Sequence, residues 1–415
     1  MNGIGKMRIY DPNQATLQAL RGTNIELILG VPNGDLQSLT TSSTANNWVQ
    51  NNIVAFSPAV NFRYIAVGNE VEPSDPASQY VLPAMQNIYN ALVSTNLGAT
   101  KPIGVCNGRI ADNLPSEQDV VSFYTMNGIG KMRIYDPNQA TLQALRGTNI
   151  ELILGVPNGD LQSLTTSSTA NNWVQNNIVA FSPAVNFRYI AVGNEVEPSD
   201  PASQYVLPAM QNIYNALVST NLGGEIKVST SVSASLLAQS YPPSAGSFGA
   251  TSSTYMTPVV SFLATTGAPL LVNVYPYFAY IGDPQNIRLD FALFTAQGTV
   301  FQDGALAYQN LFDAIVDAFY SALEAAGGAN VEIVVSETGW PSTGEAAATV
   351  DNASTYYKNL INHVNDGTPK KPGKAMETYL FSIFDEDQKG PAETERHFGL
   401  FSPDKQPKYN NISFS

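Results

Sequence analysis

The stretch Glu332-Ile-Val-Val-Ser-Glu-Thr-Gly-Trp-Pro-Ser342 carries the information that decides the fold. Its first half is β-branched and apolar, the composition of a strand buried on both faces, as in a parallel sheet. The run ends at Ser336 and Glu337, and Gly339, Trp340 and Pro341 follow at once. A carboxylate at the mouth of a buried strand is costly unless a partner satisfies it or a reaction uses it. Trp340 offers a flat apolar face suited to stacking on a ring. Taken alone, Glu337 reads as a strand-end acid paired with an arginine. A second carboxylate placed opposite would make it catalytic.

Composition narrows the function classes. Acidic residues outnumber basic ones by 34 to 20, a formal charge of −14, which argues against nucleic acid or an anionic membrane as partner. Charged residues make up only 13% of the chain, so solubility rests on Asn, Ser, Thr, Gln and Tyr. Such a surface suits an extracellular protein that handles a neutral polymer. Cys106 is the single cysteine, and His363 and His397 are the only histidines. No intrachain disulfide and no Cys/His structural zinc site can therefore be assembled. Neither histidine lies near a nucleophile elbow. No apolar run is long enough for a membrane span, and Met1-Asn-Gly-Ile-Gly-Lys6 lacks the apolar core of a signal peptide.

The strongest organisational signal is a duplication. Residues 1–98 recur letter for letter as residues 126–223. Evolved solenoids use short, numerous and divergent repeats, so one long copy without drift reads as a recent duplication or an error of sequence assembly. After Leu97-Gly98 and Leu222-Gly223 the two copies continue differently. A boundary is expected at Lys101-Pro102, giving a partial β/α segment over 1–101, expected to be non-catalytic, and a complete unit over 102–415.

From Ile103 onward, apolar runs bounded by Gly, Pro, Asn or Asp recur at intervals that leave room for helices. Strands are expected at Ile103–Asn107, Lys131–Tyr135, Glu151–Val156, Phe187–Gly193, Ile226–Val232, Leu270–Tyr275, Glu332–Ser336 and Thr378–Phe384. Pro115-Ser-Glu-Gln-Asp-Val-Val-Ser-Phe-Tyr124 opens with Pro and acids, as a helix N-terminus does. Ala307–Ala325 carries Leu311, Ile315, Phe319 and Leu323 at helical spacing and stops at Gly327-Gly328. Eight β-then-α units predict an α/β fold, the (β/α)8 TIM barrel. An open doubly wound sheet is the alternative, but no glycine-rich phosphate loop follows the first strand.

In such a barrel, functional side chains sit at the C-terminal ends of strands. The fourth run ends Ala191-Val-Gly-Asn194-Glu195, and strands four and seven stand across the mouth from one another. Two facing carboxyls, Glu195 and Glu337, suit glycoside hydrolysis, one protonating the leaving oxygen and the other acting on the anomeric carbon. Two unrelated ion-paired acids are the competing reading. Asn194 is placed to donate to a ligand hydroxyl. The sixth run ends Asn273-Val-Tyr275-Pro-Tyr-Phe278-Ala-Tyr280, an aromatic cluster on an expected rim loop, where rings can pack on sugar C–H faces. Tyr135, at the end of the second run, joins the expected substrate-contacting set. Phe384-Asp-Glu386-Asp-Gln-Lys389-Gly390, followed by Glu395, reads either as a charge network tuning the nucleophile or as a solvated acidic loop.

Val192-Gly-Asn-Glu-Val196, Asn273-Val-Tyr-Pro-Tyr-Phe278, Val335-Ser-Glu-Thr-Gly-Trp-Pro341 and His397-Phe-Gly-Leu-Phe401 together resemble the plant endo-1,3-β-glucosidases of glycoside hydrolase family 17. The resemblance runs from about Ile103 to Ser415. It implies a (β/α)8 barrel that cleaves β-1,3-glucans such as callose, laminarin and fungal wall glucan with retention, as plant defence glucanases do. Glu195 then matches the proton donor and Glu337 the nucleophile, with Glu386, Lys389 and Glu395 lining the same cleft and Tyr135, Asn194, Tyr275, Phe278 and Trp340 as substrate contacts. The resemblance implies no metal or cofactor, a β-glucan partner, a secreted or vacuolar location, and a monomer. A 1,3;1,4-β-glucanase of the same family, or a glucan-binding or antigenic protein without turnover, are the alternatives. Two departures stand out: Asn107 occupies a position where the family has Tyr, and the front copy is extra. Glu70, the twin of Glu195, has no second Ser-Glu-Thr-Gly-Trp to face and is expected not to be catalytic. The front copy is expected to be a loosely packed, aggregation-prone appendage with open strand edges. Asn352-Ala-Ser354 and Asn411-Ile-Ser413 match the glycosylation pattern.

Overall fold

In the computed structural model, which describes residues 4–57, 59–94, 102–409, 412 and 414, the apolar runs form strands where β-branched and aromatic residues cluster. Residues 95–101, where the expected boundary at Lys101 falls, and Asn411 of the second sequon lie outside the described residues. The chain divides into two compact units, one formed mainly by residues up to Lys101 and the other by residues from Pro102 onward.

The first unit is a three-stranded parallel sheet of β1 (Lys6–Ile9), β2 (Glu26–Val31) and β3 (Asn61–Val67), in the order β1-β2-β3. Helices, ending with α1 (Ser78–Ser94), cover one face. Leu17, Leu27, Leu29, Leu36, Val49 and Ile88 form a contiguous core there. Arg8 and Tyr64 of the sheet, and Tyr10 just beyond its first strand, are exposed.

The second unit is a closed barrel of eight parallel strands. They are β4 (Ile103–Cys106), β5 (Lys131–Ile134), β6 (Glu151–Val156), β7 (Asn186–Asn194), β8 (Lys227–Ser233), β9 (Leu270–Asn273), β10 (Ile333–Thr338) and β11 (Thr378–Leu380). Neighbours pair in sequence order and β11 closes on β4, Thr378 beside Ile103. The eight expected runs thus all become barrel strands. The sixth and eighth end earlier than their apolar runs do, at Asn273 and Leu380.

Helices pack outside. Ser116 caps α2 (Glu117–Met126) by accepting from the Asp119 amide; α3 (Ser203–Ser219) and α4 (Ala250–Thr266) follow β7 and β8. Two expectations need correction. The Pro276 run is not a loop but a short helix, α5 (Pro276–Gly282), because proline at the first helical position fits the fixed φ and lacks an amide that would go unpaired there. The expected helix over Ala307–Ala325 begins only at Leu311, in α6 (Leu311–Ala325), where the Asn310 side chain accepts from the Asp313 amide. Leu306–Tyr308 instead pairs antiparallel with Phe301–Asp303. The last outer helix is α7 (Val350–His363), near whose start the sequon residue Asn352 already donates its amide to the Ala347 carbonyl at 2.9 Å.

An ion network fills the N-terminal end of the barrel. Glu377 accepts from Arg188 at 2.9 Å and from Tyr379 at 2.9 Å, and lies 3.3 Å from Lys131. Burial alone would favour its neutral form, but Lys131 and Arg188 outweigh that and hold its carboxyl below the ordinary range. Charge therefore seals one end and leaves the other free for chemistry. Among the described residues no helix is long and apolar enough to cross a membrane.

Candidate active site

The C-terminal strand ends surround a cleft of about 940 Å³. Of the residues singled out from the sequence, Tyr135, Asn194, Glu195, Tyr275, Phe278, Glu337, Glu386, Lys389 and Glu395 all line it. Trp340 does not. It is 0% exposed, donates its indole N–H to the Ala347 carbonyl at 2.9 Å, and packs edge-on against Tyr277 at 5.2 Å. Its expected role as a stacking face is corrected: the indole belongs to the core of the second unit, where it also packs against Tyr356 of the outer helix at 5.5 Å.

Glu337 lies within β10 and is almost fully buried. Its Oε1 accepts from the Tyr135 hydroxyl at 2.9 Å and lies 3.0 Å from the Arg133 guanidinium, while Oε2 accepts from the Tyr275 hydroxyl at 2.7 Å. Both tyrosines thus grip the carboxylate rather than merely presenting a ring. Burial, and the negative charge of Glu337 beside them, keep both phenols well above their usual range, so they remain donors.

Arg133 is the residue the sequence reading missed. It is 1% exposed and donates to the Ser336 carbonyl (2.9 Å), Asn273 (3.0 Å), Asn194 (2.7 Å) and Ser231 (3.1 Å) in addition to pairing with Glu337. A signal existed: an arginine in the middle of Lys131-Met-Arg-Ile-Tyr135, a strand buried at every position, needs an anionic partner. The cation touching Glu337 is therefore Arg133. Lys389 instead pairs with Glu395 at 3.2 Å and sits 3.9 Å over the Phe381 ring.

Glu195 follows β7 and faces the open cleft. It holds φ +50°, a left-handed conformation rare for glutamate. Its amide donates to the Ser231 carbonyl at 2.8 Å, and the preceding residue is clamped on both sides by Asn158. Asn273 donates to its Oε1 at 2.8 Å. Partial burial, then the charge of Glu337, raise the Glu195 pKa above the ordinary carboxylate value, and the Asn273 bond and Arg133 only moderate the shift. Two carboxyls in one cleft thus differ in surroundings: one sits among donors and a cation, the other is pushed toward its protonated form.

Asn194 turns its Oδ1 toward Arg133 and Asn273, which leaves its amide nitrogen as the donor available to a ligand. Glu386 is buried, accepts from the Ile110 amide at 2.9 Å, and packs on Gly108, where a Cβ would lie 2.2 Å from its carboxylate. Burial raises its pKa, against the opposing effect of Lys389. It is a cleft-wall acid and not part of a solvated loop. Asn107, also in the cleft wall, is buried with neither amide atom paired within the protein. Among the described residues no group of three or more His, Cys, Asp or Glu side chains could hold a metal ion.

The model of the glycosyl hydrolases family 17 matches residues 1–101 and 103–414. The chain is 61% identical over 328 residues to a glucan endo-1,3-beta-glucosidase of Vitis vinifera, covering 78% of this chain and 95% of that one. It is 52% identical to a basic vacuolar isoform of glucan endo-1,3-beta-glucosidase from Nicotiana plumbaginifolia, covering 76% and 87%. It superimposes with a TM-score of 0.71 and 51% identity on a solved structure described as one of two plant beta-glucan endohydrolases with distinct substrate specificities, covering 74% and 98%.

Proposed function

This chain belongs to the glycosyl hydrolases family 17, and from that premise we propose that it hydrolyses internal β-1,3-glucosidic bonds of glucans with retention of configuration, using Glu337 as nucleophile and Glu195 as acid and base. The observation that carries the reading is the contrast between the two carboxyls. Glu337 is held by Arg133, Tyr135 and Tyr275, while Glu195 is pushed toward its protonated form. The plant relatives described as glucan endo-1,3-beta-glucosidases support the substrate.

In the first step Glu195 gives its proton to the glycosidic oxygen as the bond from that oxygen to the anomeric carbon breaks. A Glu337 oxygen bonds to the same carbon from the opposite face. Glu195, now ionised, takes a proton from water, whose oxygen displaces Glu337 and restores the original configuration. A retaining pair requires carboxyls about 5–5.5 Å apart. Tyr275 and Tyr135 steady the nucleophile; Phe278 offers an aromatic face and the Asn194 amide a donor to the sugar. The vacuolar isoform among the relatives supports a location in a vacuole or outside the cell. Glu337→Gln abolishes laminarin hydrolysis while leaving the far-UV spectrum that of a folded protein. Near-normal hydrolysis by that variant would sink the assignment.

A further inference from the structure

On α1, Leu82, Met85 and Tyr89 are 62%, 48% and 57% exposed. Their spacing of three and four residues puts them on one face, a stripe about 10 Å long. The opposite face of the helix, carrying Ala84, Ile88 and Ala91, is buried in the core of the first unit, so the stripe is the helix's own second apolar surface.

The duplication provides a control for what this surface does. Leu207, Met210 and Tyr214 occupy the same places on α3, whose sequence is identical. There Met210 is 0% exposed, and Tyr214 meets Phe262 of α4 edge-on, ring centroids 5.7 Å apart. The same side chains on the same helix are therefore covered in one copy and bare in the other. What covers them in the barrel is a helix without a single charged residue, packed on another that also has none.

We propose that the α1 stripe is a self-association surface, on which α1 of a second copy of this chain packs about a two-fold axis. Charge selects this occupant. The chain carries −14 overall, so two copies repel over most of their surface; α1 has no charged residue and escapes that repulsion. Shape and polarity select it too. Among the described residues no other helix carries more than one exposed large apolar side chain, so the matching apolar helix face is another α1. A two-fold contact is self-complementary: crossing antiparallel, Leu82 of each copy meets Tyr89 of the other, with Met85 at the axis. A dimer of this kind stands against the monomer expected from the sequence.

The test uses the full chain. Sedimentation velocity across micromolar concentrations is expected to show a dimer, and Leu82→Glu with Met85→Glu a monomer with laminarin hydrolysis within twofold of the parent. Met85→Cys gives a disulfide-linked dimer on mild oxidation, because Cys106 is buried and does not compete; this variant keeps the proposal testable should the double substitution disturb the first unit. A parent chain that stays monomeric throughout overturns the proposal. So does a dimer that survives the double substitution, an open-ended series of larger species, or the failure of Met85→Cys to cross-link.

Discussion

Arg133→Met separates the role of a buried cation from that of the strand carrying it. The guanidinium lies 3.0 Å from Glu337, and both groups are shielded from water. With an effective dielectric constant of about 20, that pair is worth up to about 5 kcal/mol, and removing one partner of such a pair costs about 3–5 kcal/mol. The four further acceptors of Arg133 lose their donor as well, while the Tyr135 and Tyr275 hydroxyls remain on Glu337 and limit the damage. A barrel of roughly 310 residues unfolds with about 0.65 kcal/mol per kelvin of entropy, so the midpoint should fall by about 5–8 °C. Activity should fall at least tenfold, because Glu337 and Asn273, which positions Glu195, are both loosened. The control lies in the same chain. Arg8 has identical sequence neighbours but is exposed and bonds to Asn69 at 2.7 Å, so Arg8→Met should cost no more than about 1 kcal/mol and leave hydrolysis intact. Scanning calorimetry and reducing-sugar release from laminarin read both. Equal effects of the two substitutions, or an unchanged midpoint for Arg133→Met, would refute the reasoning.

Two further outcomes are expected. Because the Glu195 pKa is raised and the acid must be protonated to act, activity persists above the ordinary Glu range near pH 4.3 and is lost as pH rises through the raised value; Glu195→Gln removes that basic limb and lowers kcat by roughly 10²–10⁴, and a basic limb unchanged in that variant assigns it to another group. Trp340→Ala empties a fully buried site and should destabilise the barrel by about 3–5 kcal/mol, with KM for laminarin unchanged in the folded fraction. A KM increase without destabilisation would return Trp340 to the substrate.

The eight barrel strands were legible because each is a short apolar run with clear boundaries, and the two acids because they interrupt such runs at the mouth. Trp340 was misplaced because a ring close to a strand-end acid in sequence need not share its direction: three residues on from Glu337, the indole is buried in the core. Arg133 was overlooked for the opposite reason. Its strand reads as apolar around it, and only barrel closure shows that one arginine reaches β7, β8, β9 and β10 at once. The aromatic cluster after β9 announced a cleft wall but not its helix, since proline marks both loops and first helical turns.

The repeated segment divides local from tertiary control. In both copies Lys6 and Lys131 open a strand in the same register, opposite Glu26 and Glu151. Asn13 and Asn138 cap the next helix through Thr16 and Thr141. Glu70 and Glu195 take φ +49° and +50° under clamps from Asn33 and Asn158. These features rest on hydrogen bonds that form within the segment, so ninety-eight residues suffice to specify them. Burial and charge pairing do not follow. Tyr64 is 60% exposed and Tyr189 6%; Arg133 meets Glu337, while Arg8 bonds to Asn69 and lies over the Tyr10 ring. The difference is supplied by β4 and by β8 to β11, distant in sequence from the residues they cover. The sequence of the segment thus determined the shape of the acid's strand end, and only closure of the barrel decided which copy of that acid shares a cleft with Glu337.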